Sequence, residues 1–144
     1  MESAASFLLG ACFLSVLLGA TPPTTIQLRL SPGPRLVGTR ADSSGVGTVT
    51  AVLDGSKLTL KGSFRGLLGI PTAAHLAVGS LPGVRGAVIA ELTISPDTSG
   101  TLSGIVQLDS SQIVALHKGG LYVEIDSAKA PEGDLWGWIM AQEK

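Results

Sequence analysis

The chain has 144 residues, 44% apolar and 15% charged, with ten Lys+Arg against eleven Asp+Glu. That length suits one domain with a real core. The apolar content excludes a disordered chain, and the scattered, balanced charge excludes a nucleic-acid footprint or an electrostatic membrane surface.

The first 20 residues stand apart. Ala4 to Ala20 is apolar or small apart from Ser6 and Ser15, and Pro22-Pro23 stops any helix that starts there. The run is short for a bilayer span, and its small-residue end at Gly19-Ala20 fits a cleaved signal peptide over residues 1–20. The region before it holds Glu2 and no Lys or Arg, so an uncleaved anchor is the alternative. Cys12 is the only cysteine. Leu9-Gly10-Ala11-Cys12 has the look of a lipobox, but the apolar run continues past it and lipidation is not expected. Removing the leader removes Glu2 and the thiol, leaving ten acidic and ten basic residues and no disulfide framework. The chain has no Asn, which excludes N-linked glycosylation.

Residues 21–45 read as an extended N-terminal segment in which Ile26, Leu28 and Leu30 alternate with Gln27 and Arg29, the period of a half-buried strand. Pro32 and Pro34 end it. Val46 to Leu53 is the next strand. Asp54-Gly55-Ser56 is a hairpin turn with Asp-Gly supplying positive φ angles, and Lys57 to Phe64 returns. Ala73 to Val78 is a short strand containing His75. A loop from Gly79 to Gly86 carries Pro82, Gly83 and Arg85. Ala87 to Ile94 and Thr101 to Leu108 are strands on either side of a turn at Pro96 to Gly100. Ser110 to Lys118 breaks the pattern: Asp109, Ser110 and Ser111 are N-cap candidates, and Gly119-Gly120 suits a C-terminal cap. Leu121 to Asp126 and Asp134 to Ala141 close the chain as strands. Seven or eight strands and one short helix predict an all-β fold, an antiparallel sandwich or barrel of Greek-key type, with the main domain over 46–141.

Three stretches resemble the CHRD domain, the module named after chordin. Thr72-Ala73-Ala74-His75-Leu76, with Gly79 and Gly86-Ala87-Val88 after it, is similar to the family's Ala-His-Ile-His stretch and the Gly-Pro-Val-Val that follows. Ala115-Leu116 and then Gly119-Gly120-Leu121-Tyr122-Val123-Glu124-Ile125 resembles its helix and Tyr-containing strand. Pro131-Glu132-Gly133-Asp134-Leu135-Trp136-Gly137-Trp138-Ile139 resembles its closing strand. The family's second His falls on Ala77, its later His on Asp126, its Arg on Trp136 and its Gln on Trp138. Of its polar set, His75 and the acidic Asp134 survive. The resemblance implies a secreted or periplasmic module that binds a protein or glycan or serves a structural role. It implies no enzyme, no cofactor and no nucleic-acid partner, and membrane contact only through an uncleaved leader.

The residues themselves point the same way. Zinc and copper sites take about three protein ligands, and the chain has two His, one of them (His117) at a helix end where its charge suits the dipole. No metal site is therefore expected, and His75 reads as the partner of Asp126 or Glu124 in a structural polar contact. Asp126, Glu132 and Asp134 read as solvated turn charges, not as the facing carboxylates of a glycosidase. Gly-x-Ser-x-Gly and a phosphate-cradling glycine loop are both absent. Asp126, Asp134 and Tyr122 are assigned structural polar roles. Trp136 and Trp138 share one strand face, and if the aliphatic residues fill the core, both indoles point outward. Trp136, Trp138, His75 and Arg85 are thus the candidate binding residues, with covering of the indoles by a loop or by the N-terminal segment as the plain alternative. A metal-binding redox protein or a small hydrolase is the rival function.

Overall fold

The computed structural model describes residues 21–33, 42–80 and 84–140. The leader and its cleavage, anchoring and lipidation readings lie outside those residues. Among the described residues, no helix is long and apolar enough to cross a membrane.

Eight antiparallel strands close into a barrel: β1 (Thr24–Pro32), β2 (Val46–Asp54), β3 (Lys57–Arg65), β4 (Pro71–Val78), β5 (Ala87–Ile94), β6 (Gly100–Gln107), β7 (Leu121–Ser127) and β8 (Leu135–Trp138). One helix, α1 (Ser110–His117), joins β6 to β7. The order round the barrel is β1-β2-β3-β6-β5-β4-β7-β8. The meander β4-β5-β6 is flanked by β3 beside β6 and β7 beside β4, which makes two Greek keys sharing three strands. Of the sandwich and the barrel, closure selects the barrel, which leaves no free sheet edge. Closure is thin at two seams: β1 meets β8 through Ser31–Trp136 and Pro32–Leu135, and β5 meets β6 through Thr93–Ser103 and Ile94–Leu102.

Local sequence explains most elements. Gly55 and Ser56 form a two-residue loop between the paired Asp54 and Lys57. Gly55 alone has positive φ (62°); Asp54 ends the ladder instead of sharing the turn. Asp109 caps α1: its carboxylate accepts from the Gln112 N–H, and the Gln112 side chain accepts from the Asp109 N–H. At the other end, Gly119 at φ 73° lets its N–H reach the Leu116 carbonyl and the Gly120 N–H reach that of Ala115. The closing strand is shorter than the expected Asp134–Ala141. It starts only at Leu135, since Asp134 turns its side chain into a loop network, and it stops at Trp138, although the Ile139 N–H still reaches the Leu121 carbonyl.

The alternation in β1, β2, β3, β6, β7 and β8 puts aliphatic residues inward. Leu30, Val49, Ala51, Leu58, Leu60, Leu76, Val123, Ile125, Leu135 and Ile139 are completely buried in one core with Phe64 as its aromatic member. The barrel interior is therefore packed with side chains. A second, separate cluster of Ala77, Tyr122 and Trp136, with Trp138 against it, lies on the outer face of β4, β7 and β8.

Asp134 ties the chain before β2 to the start of β8. It is fully buried, and its carboxylate accepts from the Ser43 hydroxyl (3.1 Å), the Ser44 N–H (3.1 Å) and the Ser127 hydroxyl (2.7 Å). Ser127 in turn accepts from the Ala130 N–H at 3.1 Å. Replacing Asp134 by Ala takes the acceptor from the Ser44 N–H and the buried Ser127 hydroxyl, while the Ser43 hydroxyl keeps the backbone carbonyl of residue 134 at 2.7 Å. Asp134→Ala is expected to cost about 2–4 kcal/mol by urea unfolding, whereas Asp134→Asn, which keeps an acceptor, costs clearly less. Equal losses for the two would show that this network contributes little.

Candidate functional site

The register of β4 builds the site. His75 lies directly opposite Glu91 on β5 and Glu124 on β7, and Ala73 lies opposite Asp126. Tyr122 faces Ala77 on one side and Trp138 on the other, and Glu124 faces Trp136. Because partners across a sheet share a face, His75, Glu124, Asp126, Tyr122, Trp136 and Trp138 all project from the outer wall.

The imidazole sits between two carboxylates. His75 Nε2 is 3.3 Å from Glu124 Oε1, and His75 Nδ1 is 3.8 Å from Asp126 Oδ2. Arg85 Nε stands 3.5 Å from the other Glu124 oxygen. His75 and Glu124 are buried, Asp126 is half-buried and the Arg85 side chain is 43% exposed, so the cluster opens to solvent at one rim. Glu124 Oε2 and Asp126 Oδ1 are buried without a hydrogen-bond partner.

The loop before β5 covers the rest. Gly86 N–H donates to the Tyr122 hydroxyl at 2.9 Å. A side chain at Gly86 would collide with the Val78 carbonyl, so only glycine lets this loop lie on the end of β4. The Arg85 guanidinium lies 5.7 Å from the Trp136 ring centre, within cation–π reach. Gly133, at φ 117°, leaves the room that Arg85 and Glu124 occupy. Tyr122 packs 4.5 Å from Trp138 and edge-on to Trp136 at 5.8 Å, ring centre to ring centre. Trp136 is 8% exposed, buried under Arg85 and beside Gly33; Trp138 is half-buried. The two indoles thus share a face, as their alternation predicts, but differ in access.

The residues singled out from the sequence therefore divide. His75, Asp126, Arg85, Tyr122, Trp136 and Trp138 come together on one wall. Asp134 stands apart in its serine network. Glu91, at the far side of His75, carried no signal in the sequence beyond its place in an apolar strand. Surface hollows of about 300 and 460 Å³ lie over β1–β3, away from this cluster. The imidazole meets the Glu124 carboxylate within bonding reach, with Asp126 at 3.8 Å, on a wall and not in a deep cleft.

The charges explain the protonation of the cluster. The Glu124 hydrogen bond raises the His75 pKa against the opposing effect of burial, and the charges of Asp126, Glu124 and Glu91 add to the rise. Burial, followed by the Glu124 charge, pushes Asp126 up to about 6 despite His75 nearby. Both groups hold protons more tightly in the folded chain than in the unfolded one. Their contribution to stability is present at low pH and is lost as pH rises through about 6 and above. With a chelator present, the melting temperature is expected to fall between about pH 5 and pH 8, and Asp126→Asn is expected to flatten that slope. A wild-type melting temperature that holds level or climbs across this range would show that the cluster is not linked to folding in this way.

The fold is thus a closed Greek-key barrel with a filled interior and a polar and aromatic cluster on its outer wall. The CHRD domain family model matches residues 27–139, and the chain belongs to that family. No curated protein and no solved structure shows significant similarity to it.

Proposed function

We propose that the chain is a non-enzymatic, exported CHRD module that binds a protein partner through the outer wall around Arg85 and Trp138. The observation that carries this reading is the stacking of the half-exposed Arg85 on Trp136 beside the half-buried Trp138. Arg and Trp dominate binding hot spots, and an Arg held by an aromatic face and a carboxylate loses little freedom on binding. The exposed Val84 and Val88 flank the same loop and extend the patch. Trp136, Trp138, His75 and Arg85, the candidate binding residues of the sequence, lie on this one wall. CHRD domains occur in extracellular and periplasmic proteins, in keeping with the apolar leader. The packed interior supports this reading over a ligand-carrying barrel, since recognition then falls to the outside.

The test needs an identified partner. Cross-linking in the extracellular or periplasmic fraction identifies it, and the purified pair is then titrated. Arg85→Ala with Trp138→Ala is expected to weaken the complex at least about tenfold while the barrel's circular dichroism is retained. Ile105→Ala, at an exposed residue of β6 on another wall, is expected to leave affinity unchanged. Full affinity in the double variant would remove this wall as the docking surface. Export predicts a native N-terminus at Thr21 by mass spectrometry; a mature chain that keeps Met1–Ala20 would replace the cleaved leader with an anchor.

A further inference from the structure

The geometry points to a zinc-class divalent-cation site on the outer wall, with His75, Glu124 and Asp126 as its protein ligands. The site does not depend on the partner-binding reading. Each residue offers one ligand atom, and these atoms lie within 4.8 Å of one another. Donors about 2.0–2.2 Å from a tetrahedral zinc ion sit about 3.4 Å apart, so small rotamer adjustments in the two carboxylates would bring the set together.

A second observation supports the cluster. Glu124 is 5% exposed, yet its Oε2 has no hydrogen-bond partner, and neither does the buried Oδ1 of Asp126 beside it. Bare carboxylate oxygens in a dry wall are costly unless something positive meets them. Arg85 answers only in part, since its Nε stands 3.5 Å away, beyond good hydrogen-bond length. The surrounding charge favours a cation as well: Glu91, Glu124 and Asp126 surround the imidazole, and Arg85 is the fixed positive group facing them.

The donor set selects among ions. One imidazole nitrogen with two carboxylates suits zinc and its neighbours in the transition series. Calcium takes six to eight oxygens and magnesium keeps octahedral oxygen geometry, so neither fits this set. The ligands come from β4 and β7, which pair along almost their whole length, so the framework is rigid. Asp126 lies at the solvent rim, where water can complete the coordination. An ion held there ties β4 to β7 from outside and takes over the role that the imidazole now plays between the two carboxylates.

The test is calorimetric titration of metal-stripped protein with zinc chloride, with Cys12→Ser in any form that keeps the leader so that no thiol is present. One equivalent is expected to bind, with a raised melting temperature, while magnesium and calcium chlorides produce no comparable effect. His75→Ala and Asp126→Asn are each expected to weaken zinc at least tenfold, and His117→Ala is expected to leave it unchanged. Arg85→Ala removes a competing positive charge and is expected to tighten zinc several-fold. That gain does not depend on whether the His75 variant folds. Absence of zinc binding to the parent chain overturns the assignment. Unchanged affinity in Asp126→Asn together with no gain in Arg85→Ala overturns it as well.

Discussion

The outer wall depends on the alignment of β4 against β7. His75 meets Glu124 because those two residues face each other across the ladder, and the neighbouring pairs place Asp126 and Tyr122 on either side. A one-residue slip of β4 would turn His75 into the aliphatic core and bring Leu76 outside. The packed interior penalises that slip, because Ala74, Leu76, Val123 and Ile125 are all completely buried. The hydrophobic core thus sets the geometry of a polar cluster on the opposite face of the sheet.

The features most legible in the sequence were those decided by short-range chemistry. Gly55 announces the β2–β3 hairpin, and Asp109 and Gly119 announce the two ends of α1, because turns and caps are made by residues a few positions apart. Alternation placed Trp136 and Trp138 on one face. Strand pairing is not written in local pattern: nothing near His75 says that its two neighbours are β5 and β7. Glu91 and Glu124 could therefore not both be assigned to it from sequence. A ligand count based on histidines alone also undercounts a cluster in which carboxylates supply most of the donors.

Burial of Trp136 also depends on distant residues. Its indole would be an exposed apolar face if β8 alone decided the matter, but Arg85 from the β4–β5 loop and Gly33 from the end of β1 close over it. Asp134, one residue away from β8, is instead occupied with Ser43, Ser44 and Ser127. Residues two apart in a single motif thus serve different tasks, Asp134 fastening the chain and Trp136 supporting a cation on its ring.

The seam between β1 and β8 bears on how the molecule assembles. Ser31 pairs with Trp136, so the cylinder cannot shut until β8 has been made. Pairs of consecutive strands such as β2–β3, β4–β5 and β7–β8 can organise locally, whereas β3–β6, β4–β7 and β1–β8 wait on sequence-distant segments. Such a topology predisposes the chain to slow, late-stage folding. It therefore stays open, and threadable through a narrow passage, for longer than a helical bundle of equal size.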